Sequence, residues 1–342
     1  MYKSLCMFLC LYCITVLAQW VPQNSAGLNP NFVIQSIVAV DENVVWAVAD
    51  TNYFSPVNFV PKFLRTTDGG MTWTVGNVTG VENVFLMDIT AVNSDTAWVT
   101  TNDFAGSGGI YKTTDGGASW SQQAEIQSVF IHFFDDQNGV EINQDHAYTT
   151  DDGGAIWTQV PSGNIPPFLP GEFNIVYSGS NARAQVGDTI WVSTSKGRVY
   201  RSTDLGYNWT VSQTSFGQDR VITSLAFKDG NIGLAISSLD GNFNIVPNLL
   251  AITNDGGDSW STINGPLTPT AICVTYMPGT TNTYVMVSPS SFGEIPGSAY
   301  TLDGGTTWTG IDNTEYNAVV FAGLDIGWAG GITTPTNGGM FK

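Results

Sequence analysis

The chain has 342 residues, and its 29 Asp and Glu against 11 Lys and Arg give a net charge of −18. So few cations, with no basic cluster among them, argue against a surface built for nucleic acid or an anionic membrane. Charged residues make up only 12% of the chain, and 38 glycines punctuate short apolar runs. That pattern is the signature of an all-β protein.

In chain order, the first element reads as an export signal over residues 1–18. Lys3 supplies a positive start, Leu5 to Leu17 is apolar, and Val16-Leu17-Ala18 offers the small residues of a cleavage site. The apolar stretch is shorter than the roughly 20 residues that span a bilayer. The expectation is a secreted or cell-surface protein that begins at Gln19 and does not stay inserted in the membrane. Cys6, Cys10 and Cys13 lie inside the signal and leave Cys273 alone. Residues 19–342 therefore have no internal disulfide and depend on a large core for stability.

An eight-residue box, Ser/Thr-x-Asp-x-Gly-x-x-Trp, then occurs six times, at 66–73, 113–120, 150–157, 202–209, 253–260 and 301–308. Its aspartates are Asp68, Asp115, Asp152, Asp204, Asp255 and Asp303, and its tryptophans are Trp73, Trp120, Trp157, Trp209, Trp260 and Trp308. Successive tryptophans are 47, 37, 52, 51 and 48 residues apart, which suits one four-stranded propeller blade per repeat. Within each box the carboxylate is expected to accept backbone N–H groups of its own turn, with Gly at a positive φ. Six copies at blade spacing cannot all line one site, so these aspartates read as structural.

Ahead of each box the sequence predicts three strands. In blade 1 they are Ile37–Val40, a tight turn at 41–43, Val44–Val48, and Phe63-Leu64-Arg65. Trp46, Trp98 and Trp328 fall nine residues after Ile37, Ile89 and Val319, a core position that Val140 and Leu234 also fill and that Trp191 is expected to take in blade 4. The last unit stops at Lys342 without a box, while Gln19-Trp20-Val21-Pro22 looks like a Trp-initiated fourth strand. The fold expected is a single seven-bladed propeller over 19–342, closed by its N-terminal segment.

In such a ring the short 1–2 turns and the boxes share one face. The long connections 50–62, 102–109, 161–173, 239–248 and 288–298 share the other, and binding commonly resides on long loops of a rigid scaffold. Several pair an aromatic with an acid: Asp50, Tyr53 and Phe54; Asp103 and Phe104; Phe168; Asp240 and Phe243; Phe292. Asp88, Glu172 and Glu294 are the candidates if two carboxylates stand roughly 5–10 Å apart for glycoside hydrolysis. His132 and His146 have no partner at ligand spacing, so no metal site is expected. No motif asks for a cofactor.

The six boxes resemble the BNR/Asp-box repeat family over nearly the whole of 19–342. That group includes sialidases, xyloglucan-active hydrolases, sortilin-type receptors and photosystem II assembly factor-like propellers, and the last are the most similar in layout. The blades and the N-terminal Gln-Trp also resemble exported propellers of Bacteroidetes-type bacteria. Sialidases carry an Arg-Ile-Pro motif before the first box, where this chain has Phe63-Leu64-Arg65, and a three-arginine clamp. The five arginines here are Arg65, Arg183, Arg198, Arg201 and Arg220, two of them directly before boxes. The xyloglucan enzymes place paired aspartates between two propellers. The resemblance and the long loops together imply a secreted, monomeric, non-enzymatic propeller that binds an extracellular glycan or protein. The alternative is a glycoside hydrolase.

Overall fold

The computed structural model describes residues 19–24, 27–51, 60–81, 84–102, 108–143, 146–174, 181–263, 271–290 and 295–342. Seven antiparallel sheets follow one another along the chain, each a meander of consecutive strands, and together they form a seven-bladed propeller. Blade 1 comprises Phe32–Ala39, Val45–Thr51, Lys62–Thr66 and Thr74–Asn77, and blade 2 comprises Phe85–Ala91, Ala97–Asn102, Gly108–Thr113 and Ser121–Ala124. Blade 3 comprises Phe130–Phe133, Gly139–Ile142, Ala147–Thr150 and Thr158–Gln159, and blade 4 comprises Arg183–Val186, Thr189–Ser193, Arg198–Ser202 and Thr210–Gln213. In blade 5 the first strand is broken into Arg220–Val221 and Ser224–Phe227, both paired to Gly233–Asp240, before Ile245–Thr253 and Ser261–Ile263. Blade 6 comprises Cys273–Tyr276, Tyr284–Ser288, Gly297–Thr301 and Thr309–Asp312.

Blade 7 has three strands of its own, Ala318–Gly323, Ile326–Gly330 and Met340–Phe341. Its fourth comes from the other end of the chain. Val21 N–H donates to the Lys342 carbonyl (2.8 Å), Lys342 N–H donates back to Val21 (2.9 Å), and Gln23 N–H donates to Met340 (2.8 Å). Trp20 is buried against Tyr316 and Phe321, and its indole N–H donates to Ser298 Oγ at 3.1 Å. The expected closure is therefore present.

Each box is a hydrogen-bonded turn closed by its aspartate. In the first, Thr66 Oγ1 donates to Asp68 Oδ1 (2.8 Å) and accepts from Gly70 N–H (2.9 Å). The Thr72 N–H (2.8 Å) and hydroxyl (2.5 Å) complete the two carboxylate oxygens of Asp68. Bonds from flanking hydroxyls and N–H groups hold Asp68, Asp115, Asp255 and Asp303 down to about 2, because they favour the charged form. Trp73, Trp120, Trp209 and Trp260 are buried, whereas Trp157 and Trp308 are half-buried.

A second device joins neighbouring blades. The second-strand residue that is Trp46, Trp98, Trp191 or Trp328 stands beside a third-strand cation, respectively Arg65, Lys112, Arg201 or Lys342. In three of these pairs the cation lies 4.8–5.4 Å from the indole centroid. The cation and most of these indoles then donate to backbone carbonyls of the following blade. Trp98 and Lys112 both reach Gly153 O (3.1 and 2.9 Å), Trp191 and Arg201 both reach Gly256 O (2.7 and 2.9 Å), and Lys342 reaches Gly69 O (2.7 Å). Where the tryptophan is missing, so is the cation: the pairs are Val140 with Thr149, Leu234 with Ile252, and Val285 with Tyr300. The boxes after blades 3 and 5 meet these smaller residues directly, so a Cβ on Gly206 would come within 2.6 Å of Val140.

Candidate binding face and the polar hub

Apart from those of blades 3 and 4, the first strands of successive blades pack closely on one another and set the geometry of the ring's centre. At one recurrent first-strand position six blades carry Ile37, Ile89, Ile131, Leu225, Val274 or Val319, and blade 4 carries Arg183. Arg183 passes over the Phe130 ring of blade 3 (5.7 Å to the centroid) and pairs with Asp88 of blade 2, whose side chain is only 4% exposed. Asp88 also accepts from Ser36 Oγ of blade 1 (2.8 Å) and from Ile131 N–H (3.1 Å). Two residues before Arg183, Asn181 donates to Val274 O and Val319 O (both 3.3 Å) in blades 6 and 7 and accepts from Leu225 N–H (2.7 Å) in blade 5. Polar bonds from blade 4 thus reach every other blade, directly or through Asp88. Asp88, a hydrolase candidate in sequence, is placed in this hub.

Near the hub, burial and the Arg183 charge push His132 down to about 3, so its ring is neutral. In blade 3, Glu141 is fully buried without an ion-pair partner among the described residues, and burial pushes its carboxyl well up against a smaller opposing effect of the Ser128 hydroxyl. The matching positions hold Ala47, Val99, Val192, Ala235, Met286 and Ala329. Aligning the repeats exposes both the Arg183 and Glu141 exceptions.

On the long-loop face, Glu172 holds together the connection between blades 3 and 4. Arg198 Nε (2.9 Å) and Thr194 Oγ1 (2.6 Å) donate to one carboxylate oxygen, and Arg198 Nη2 (2.5 Å) and Leu169 N–H (2.7 Å) to the other. Burial pushes this carboxyl up, but the bonds from Arg198, Thr194 and Leu169 outweigh it and hold it below its ordinary value. Phe168 stacks on Tyr200 at 4.7 Å in the same cluster. Asp50 is 1% exposed, buried where blade 1 meets blade 2 rather than displayed on the face. It accepts from Leu86 N–H (2.7 Å), its other oxygen has no partner among the described residues, and burial lifts it to about 8. Asp88 is bonded to residues of blades 1, 3 and 4, and Glu172 to Leu169, Thr194 and Arg198; the two share no bonding partner.

Blade 5 departs from the long loop expected at 239–248. Leu239 pairs with Ile245, which leaves only a tight turn whose tip is organised by Asp240. That carboxylate accepts from Asn242 N–H and Asn244 N–H, both at 2.9 Å, and from the Asn244 amide. The turn forces Phe243 to a φ of 64° and leaves it 42% exposed, stacked on Phe173 at 5.8 Å with ring planes 15° apart. Val221, Leu239 and Ile245 pack with Phe173 beneath the stack. Tyr53, Phe54, Asp103, Phe104, Phe292 and Glu294 lie outside the described residues. Among the described residues no three His, Cys, Asp or Glu side chains gather in a way that could hold a metal ion.

No family model and no curated protein matches the chain. Solved structures do. One described as YCF48 bound to D1 peptide aligns at 16% identity with a TM-score of 0.60, over 94% of this chain and 98% of that one. YCF48 from Cyanidioschyzon merolae aligns at 16% identity and 0.65, over 95% and 98%. A GH74 xyloglucanase from Xanthomonas campestris aligns at 12% identity and 0.61, over 94% of this chain but 55% of the hydrolase. At such identities the likeness establishes the β-propeller fold alone, which this chain shares with the YCF48 and GH74 structures.

Proposed function

We propose that this chain is a non-hydrolytic binding propeller that holds an extended segment of another protein on its long-loop face. The observation that carries this reading is the Phe173–Phe243 stack. A phenylalanine kept 42% exposed by a turn at positive φ is strained for a residue with a side chain, and exposed aromatics on rigid turns are typical contact anchors. The carboxylates of Glu172 and Asp240 on this face are tied up in structural hydrogen bonds, which supports binding over acid–base chemistry. The chain also spans nearly all of the single-propeller YCF48 structures, one of them holding a peptide, but about half of the hydrolase.

Membership of the BNR/Asp-box repeat group and export after cleavage at Ala18 belong to the same reading. The six boxes and the apolar leader support them, and an N-terminus at Gln19 in secreted protein would confirm the cleavage. To test the binding reading, a random peptide library is selected on residues 19–342. Phe243→Ala is expected to weaken the selected peptides about tenfold or more, with the melting temperature unchanged. Release of reducing sugar from any of a broad set of polysaccharides or sialosides would overturn the non-hydrolytic reading.

A further inference from the structure

We propose that the cleft at the seam between blades 7 and 1 binds an uncharged sugar unit, at a site separate from the Phe243 platform. Two connections run side by side there: residues 27–31 lead into blade 1, and 331–339 link the second and third strands of blade 7. Thr333 fastens them together. Its hydroxyl accepts from Phe32 N–H and donates to Asn29 O, both at 2.7 Å, while its own N–H donates to Phe32 O at 2.7 Å. The far wall is a closed turn in which Thr334 N–H donates to Asn337 O (3.1 Å) and Asn337 Oδ1 accepts from Gly339 N–H (2.8 Å).

Between these walls lies a cleft of about 380 Å³, lined chiefly by Gln23, Asn24, Leu28, Pro335, Thr336 and Asn337. That volume lies within the usual range for a small-molecule site. Among the described residues no charged side chain lines it. Amides and hydroxyls each offer both a donor and an acceptor, and here they stand on both walls. A ring with hydroxyls around its rim uses such walls more fully than an extended backbone, which brings one donor and one acceptor per residue. Leu28 and Pro335 present C–H surface to the apolar face of a pyranose. Walls fixed by their own bonds need little ordering on binding.

Titration calorimetry and ligand-observed NMR on residues 19–342, with cello-, manno- and xyloglucan-oligosaccharides as probes and galacturonate oligomers as the charged control, test the site. At least one neutral oligosaccharide is expected to bind, about tenfold more weakly to Asn24→Ala and not measurably to Thr336→Trp, which fills the cleft. Both positions are exposed, so the melting temperature should hold. Phe243→Ala should leave sugar binding intact, so this site and the protein-segment reading can fail separately. Absence of neutral-sugar binding up to about 10 mM, equal binding of the galacturonates, or full binding to Thr336→Trp would overturn the proposal. So would a response to proline-containing peptides in place of sugars.

Discussion

Asp50 sets a pH dependence opposite to that of the box aspartates. Its carboxyl, lifted to about 8 by burial, binds a proton more tightly folded than unfolded. It therefore favours the fold fully below about pH 4, and that contribution is lost as pH rises towards 8. The box carboxylates, held near 2, favour the fold above about pH 4 and lose their contribution as pH falls towards 2. Asp50→Asn is expected to flatten the fall in melting temperature between pH 4 and 8 while leaving the acid limb unchanged. Parallel profiles for the two proteins would show that the unfolded-state difference lies elsewhere, with Glu141 the next group to test. Neither residue was legible as buried in the sequence. Asp50 stands one residue from the end of a strand, before a long connection, where an acid reads as a loop residue. Glu141 sits in a four-residue strand too short to display its alternation.

At the scale of the element, the tryptophan–cation pair links two blades through one acceptor. Trp98→Val and Lys112→Thr convert blade 2 to the pairing that blade 3 already uses. Trp98→Val alone should cost about 3 kcal/mol for the lost burial. Lys112→Thr alone should cost about 1 kcal/mol, because a charged donor leaves Gly153 O. The double variant should cost less than the sum by about 0.5–1 kcal/mol, since the cation works partly through the indole face. Strict additivity in urea denaturation would mean that the two side chains act independently. The strands, boxes and second-strand tryptophans were readable because period-two alternation and the Asp-Gly turn are local signals. The cation was present in the sequence too, one residue before the box, but its partner lies in the next blade and no local pattern points there. The blade 5 turn is shorter than its sequence suggests, because Gly241 and Asn242 read equally well as part of a long loop and only the Leu239–Ile245 register decides between the two.

At the scale of the whole molecule, seven blades meet at a hub whose charges both come from side chains the repeat does not dictate. Removing Arg183 leaves the Asp88 carboxylate, 4% exposed, without its cation. Arg183→Ala should therefore cost about 3 kcal/mol or more, and adding Asp88→Asn should recover a good part of it. If Arg183→Ala unfolds at the wild-type denaturant concentration, water replaces the guanidinium at no cost and the hub does not hold the ring.

The seam also bears on chain order. Lys342 and Trp20 stand in blade 7 where Arg65 and Trp73 stand in blade 1, and in blade 1 a seven-residue turn, 66–72, joins them. A copy of that turn in place of Gln19 would give blade 7 the connection found in its six neighbours. A circular permutant built this way, with new termini opened at the exposed Thr306, should fold to the same ring and melt within a few degrees of the parent. In that case the position of the break is an accident of gene order, and any of the seven blades is able to carry it.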